Sequence, residues 1–159
     1  MTERLVVEST FTVYDDYNSL PVTFRELIDA AILASGNAYA PYSNFHVGAA
    51  VLTEDNKITI GNNQENAAYP SGLCAERVAL FHTSATKPDE LIKAIAVVAK
   101  KQNDSKPAMP CGSCRQVICE YETKQNVPIQ IVMAYHDGKY IVATSGKDLL
   151  PFSFTKTDL

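Results

Sequence analysis

Leu91-Ile92-Lys93-Ala94-Ile95-Ala96-Val97-Val98-Ala99 is an apolar run broken only by Lys93. Its length suits a strand, and its lack of polar alternation suits a strand covered on both faces. Upstream, Leu73 to Thr86 spaces its apolar residues at helical intervals among good helix formers. Downstream, Cys111 to Tyr121, entered through Pro110, reads as another helix. A buried strand between two helices points to a layered α/β domain built on one central sheet.

The rest of the chain fits that frame. Ser19-Leu20-Pro21, followed by Thr23-Phe24-Arg25-Glu26 in capping-box spacing, opens a helix. Phe24, Leu27, Ile28, Ala31 and Ile32 share one face of it up to Gly36. His46 to Leu52 and Ile58 to Ile60 form a hairpin across Glu54-Asp55-Asn56-Lys57. Ile129 to Tyr135 and Tyr140 to Ala143 form another across His136-Asp137-Gly138-Lys139, and Lys147 to Leu150 is a short helix ended by Pro151. Leu5 to Tyr14 has β-branched character without an obvious partner, so residues 1–18 read as an extension, either an extra strand or an arm. Nothing resembling a repeat or linker divides 19–159, which is expected to be one domain.

Composition narrows the function. The 159 residues carry a formal charge of −4, so no basic field draws in nucleic acid, and a small substrate is the expectation. No apolar stretch is long enough to span a membrane, and the start, Met1 to Glu8, lacks the basic and apolar segments of a secretory signal, which makes the cytoplasm the default. Four cysteines in such a chain argue for metal before disulfides.

Cys74-Ala75-Glu76 opens one helix and Pro110-Cys111-Gly112-Ser113-Cys114 opens another, so Cys74, Cys111 and Cys114 come together from two helix N-termini. Three thiolates suit zinc and leave a fourth position for water, the mark of a catalytic site. Helix N-termini stabilise the gathered negative charge, and Arg77 beside Cys74 adds a cation that offsets the loss of Lewis acidity three anionic ligands impose. Glu76, two residues from a ligand, is placed to shuttle protons between zinc-bound hydroxide and a substrate. Taken alone, Cys111-x-x-Cys114 also reads as a redox dithiol or half of a structural zinc site. Cys119, a turn further on, reads as a buried free thiol.

Through Tyr42-Ser43-Asn44-Phe45-His46-Val47-Gly48-Ala49-Ala50, Glu65-Asn66-Ala67-Ala68-Tyr69-Pro70-Ser71-Gly72-Leu73-Cys74-Ala75-Glu76-Arg77, Pro110-Cys111-Gly112-Ser113-Cys114-Arg115-Gln116 and Leu149-Leu150-Pro151-Phe152-Ser153-Phe154, the chain resembles the small, homotetrameric cytidine deaminases over roughly residues 21 to 154. The resemblance implies a three-layer αβα domain with a central mixed five-stranded sheet and one zinc per chain. It also implies hydrolytic deamination of free cytidine and deoxycytidine in pyrimidine salvage, with hydroxide attacking the 4-position. It maps the ribose contacts to Asn63 and Glu65, the ring-packing aromatic to Phe45, and a backbone contact with the base edge to Ala75. Tyr69 and Phe154 resemble residues that complete a neighbouring subunit's pocket, so the active sites would be shared within a homotetramer. On residue type alone, Asn63 also fits a turn and Phe45 a core position.

Two departures stand out: Asn62 replaces a common Cys, and Cys74 stands where larger dimeric relatives and polynucleotide editors use His. The second, with the acidic charge, argues against a nucleic-acid substrate. Asn63, Glu65 and Phe45 argue against the related deaminases of antibiotic nucleosides such as blasticidin S. His46, His82 and His136 share no spacing with the cysteines, and Lys100, Lys101 and Lys106 read by default as a solvated loop face, with a place beside the pocket left open.

Overall fold

The computed structural model describes residues 2–100 and 106–159. Met1 and Lys101 lie outside the described residues. In chain order the elements are β1 (Phe11–Tyr14), α1 (Val22–Ser35), β2 (His46–Thr53), β3 (Ile58–Asn62), α2 (Ala75–Thr86), β4 (Ile92–Lys100), α3 (Gly112–Gln125), β5 (Gln130–Ala134), β6 (Tyr140–Ala143) and the single turn α4 (Gly146–Leu149). The strands form one sheet in the order β1-β6-β5-β4-β2-β3. β4 and β5 run parallel, joined through α3, and every other pair is antiparallel, so the sheet is mixed as expected.

The sheet has six strands, not the five the resemblance implies, the sixth being the extra strand that is one of the two readings of residues 1–18. Phe11–Tyr14 pairs antiparallel with β6, Phe11 opposite Ala143 and Tyr14 opposite Tyr140. Leu5, Val6 and Val7 precede the strand and are exposed, so the β-branched pair Val6 and Val7 does not carry it further back. The capping box expected at Thr23 to Glu26 is also not formed. Pro21 stands at the N-cap of α1, one residue before Val22, and no side chain caps that end. Proline preset at the helix entrance makes the start without a capping side chain.

The long apolar runs are explained by helices on both faces. On one face Leu27, Ile28 and Ala31 of α1 pack over Ala50, Leu52, Ala94, Ala96 and Val132. On the other, Ala79 and Leu80 of α2 and Ile118 of α3 pack over Ala49, Val51, Ile95, Ile131 and Met133. Alternate residues of β2 and β4 serve opposite cores, as the period of two requires. Two glycines set how closely the helices approach. A Cβ at Gly48 would lie 2.6 Å from Ser35 N of α1, and one at Gly61 would lie 2.5 Å from Ala79 N and 2.7 Å from Ala75 O of α2. The sheet thus holds the first turn of α2 against its surface, and that turn carries the chemistry.

Candidate active site

Cys74 is the N-cap of α2 and Cys111 the N-cap of α3, while Cys114 lies in the first turn of α3. Neither N-cap side chain is spent on capping, so both sulfurs are free to face each other. The Cys74 and Cys111 sulfurs are 3.7 Å apart, Cys111 and Cys114 3.6 Å apart, and all three lie within 4.8 Å of one another. A tetrahedral ion with zinc–sulfur bonds of about 2.3 Å spaces its sulfurs by about 3.8 Å. The three thiols therefore fit zinc both in donor chemistry and in spacing.

The electrostatics favour a thiolate. Cys74 is held down to about 5, first by a hydrogen bond from Cys114 and then, against burial, by the Arg77 guanidinium and Cys111. Cys114 is pushed up by the same bond and by burial. The first negative charge of the cluster thus settles on Cys74, where Arg77 Nη2 approaches Sγ at 3.6 Å. Arg77 Nε is buried and has no hydrogen-bond partner among the described residues. Glu76 is 3% exposed. Burial pushes its carboxyl up to about 7, its own backbone N–H opposes that, and the nearby Cys74 charge adds to it. Cys119 is buried and free, outside the cluster, as expected.

A cavity of about 870 Å³ opens over this cluster. Cys74, Ala75, Glu76, Arg77 and Cys111 form part of its lining, together with Phe45, Asn63, Glu65 and Tyr69. The structure therefore brings most of the expected site residues together. Glu65 accepts hydrogen bonds from Tyr42 N (2.9 Å), Ser43 N (3.3 Å) and the Ser43 hydroxyl. The Ser43 bond, ahead of the Tyr42 bond, keeps its carboxyl below the usual range. Asn63 donates through Nδ2 to Phe45 O (2.9 Å) and accepts Val47 N–H (2.8 Å) at Oδ1. Phe45 is half-exposed at the cavity wall and not in the core, and Tyr69 is exposed with its ring 6.3 Å from that of Tyr42. Phe154 is not brought to this cavity: its ring is exposed, and its carbonyl accepts from Gln116 Nε2 at 2.6 Å.

Several cavity residues escaped the sequence reading. Ser43 lines the cavity as well, and the signal that could have found it is a serine two positions before Phe45, a local turn signal. Lys106 to Met109 also line the cavity, Lys106 remaining exposed as a solvated loop face while bordering the pocket. Their approach depends on where β4 ends and α3 begins, which no local pattern records. His46, His82 and His136 are absent from the cavity lining.

Residues 23–130 match the profile of the cytidine and deoxycytidylate deaminase zinc-binding region. A cytidine deaminase of Sporosarcina psychrophila is 42% identical over 135 residues, spanning 85% of this chain and 93% of that protein. One from Halalkalibacterium halodurans is 40% identical over 136 residues, spanning 84% and 95%. Among solved structures, the cytidine deaminase of Burkholderia pseudomallei superposes with a TM-score of 0.71 at 46% identity, covering 81% of this chain and 97% of that one. The Mycobacterium tuberculosis enzyme does so with a TM-score of 0.66 at 33% identity, covering 84% and 98%. With this likeness along most of its length and three thiols spaced for zinc, the chain belongs to the cytidine deaminase family.

Proposed function

We propose that this protein deaminates free cytidine and deoxycytidine hydrolytically, one water being consumed and one ammonia released for each uridine or deoxyuridine formed, as a step of pyrimidine salvage. The observation that carries the reading is a buried carboxyl, Glu76, beside a three-thiol cluster, with Glu76, Cys74 and Cys111 lining a cavity of about 870 Å³. Cys74, Cys111 and Cys114 would hold zinc. When bound, zinc would supply a Lewis acid that makes water a nucleophile near neutral pH. Glu76 takes a proton from the attacking water on its carboxylate, delivers it to the ring nitrogen next to the 4-position, and passes the next to the departing amino group. A carboxyl pushed up to about 7 exchanges protons readily in either direction near neutrality.

The remaining residues recognise. Phe45 offers an aromatic face to the base, the Ala75 backbone meets the base edge, and Asn63 and Glu65 take the sugar hydroxyls. A carboxylate at the sugar end disfavours a phosphate there, which supports a free nucleoside over a nucleotide or nucleic acid. Arg77 steadies the Cys74 sulfur. Tyr69 and Phe154 complete pockets in a homotetramer, a reading supported for Phe154 by its exposed ring and its absence from its own cavity's lining, and for Tyr69 by its exposure at the rim of the cavity it lines. A cytoplasmic catalytic domain over 19–159, with 1–18 as its extension, belongs to the same reading. No helix among the described residues is long and apolar enough to cross a membrane.

Glu76→Ala tests the central assignment. Zinc content is expected to stay at the native level while turnover of cytidine, followed by ultraviolet absorbance, falls about 10²- to 10⁴-fold. Retained turnover would overturn the proton-transfer role, and loss of zinc with turnover would make Glu76 a structural residue instead.

A further inference from the structure

The loop from Tyr42 to Phe45, just before β2, is pinned from two sides. Glu65 takes the backbone N–H groups of Tyr42 and Ser43 on Oε2 and the Ser43 hydroxyl on Oε1. The same hydroxyl oxygen accepts the Phe45 N–H at 3.0 Å. This closes a turn around Asn44, whose φ of 54° is one that asparagine tolerates. On the other side Asn63 holds Phe45 O and Val47 N–H. A serine hydroxyl donates once and accepts up to twice. Ser43 spends its donor on the carboxylate and an acceptor site on the backbone under the aromatic ring.

Resting on the sugar and base contacts proposed above, we propose that Ser43 is a positioning residue that couples the two: its hydroxyl locks the Glu65 carboxylate and the Phe45 backbone into one fixed relation. Sugar recognition and base stacking are then set by a single side chain that need not touch the substrate. The fold gains little from it. Ser43 and Phe45 are exposed, so water replaces the lost bonds, and the two backbone donors to Glu65 survive any substitution at 43 that leaves the loop in place. What the hydroxyl contributes is preorganisation, whose absence is felt when the substrate binds.

Ser43→Ala is therefore expected to raise KM for cytidine about tenfold, with kcat changed less than about twofold and the thermal midpoint nearly unmoved. Ser43→Thr, which keeps the hydroxyl, is expected to bring KM back to within about threefold of the native value. In a Glu65→Ala background, adding Ser43→Ala should raise KM by no more than about threefold, because its main target is gone. An unchanged KM in Ser43→Ala, alongside a raised KM in Glu65→Ala, overturns the proposal and leaves the sugar assignment standing. An unchanged KM in Glu65→Ala removes both. An equal penalty for Ser43→Ala in the two backgrounds overturns the coupling.

Discussion

Replacing Glu122 with alanine should destabilise the protein severely, and replacing it with glutamine hardly at all. Glu122 lies on α3 and is 5% exposed. Its Oε1 accepts the N–H of Ile129, just before β5, and the N–H of Gly146, at the start of α4, both at 2.8 Å. Its Oε2 accepts the Ser145 hydroxyl at 2.9 Å. Alanine leaves two buried amides without an acceptor at about 2 kcal/mol each, so the expected loss is about 4 kcal/mol. For a chain of this size that is a fall of roughly 10 °C in thermal midpoint. Glutamine keeps a carbonyl oxygen where both amides converge and turns an NH2 group toward Ser145, whose hydroxyl can accept, so its cost is about 1 kcal/mol or less. Urea unfolding followed by circular dichroism, at fixed protein and zinc concentrations, separates the two. A loss below about 1 kcal/mol for alanine, or glutamine as damaging as alanine, would refute the reasoning.

Two further perturbations address the metal cluster. Gly61→Val should cost about 2 kcal/mol or more and lower zinc content, because its Cβ would meet Ala79 N at 2.5 Å and Ala75 O at 2.7 Å and push the α2 N-terminus off the sheet. Unfolding and metal analysis of one sample check this, and an unperturbed variant would mean α2 is not seated by that contact. In zinc-free protein, alkylation of Cys74, followed peptide by peptide, should rise with pH about a midpoint near 5, against an ordinary thiol value of 9.0. The sign follows from the lowered value: the thiolate is populated above the midpoint and lost below it. Arg77→Gln should move that midpoint upward, and a midpoint left in place would deny Arg77 its role at the sulfur.

What could be read from the sequence was whatever depends on local pattern or chemical type. The run from Leu91 to Ala99 announces a doubly covered strand because Ala94 and Ala96 serve one core and Ile95 the other. The cysteines announce a metal site because their spacing places them at two helix starts. The sixth strand was harder to see. Phe11–Tyr14 has only four residues, and its partner β6 lies at the far end of the chain, so nothing nearby signals the pairing. The Ser43 bonds to Glu65 are hidden for a related reason: the fold brings the two together from 22 residues apart. The Thr23 capping box failed because a proline just upstream had already set the helix entrance.

The pairing of β1 with β6 also bears on how the molecule comes together. Thr10 N donates to Asp148 Oδ1 across 138 residues of chain, and the first strand has no sheet to join until the last hairpin exists. Closing so long a loop carries a large entropic cost, so this edge should be among the last parts of the sheet to form and the first to fray. Until then β6 presents a row of unpaired amides, the template on which chains join edge to edge. In the finished fold that edge is covered by β1, which pairs with β6 from Phe11 opposite Ala143 to Tyr14 opposite Tyr140. β1 therefore closes the edge of β6, and does so only once folding is complete.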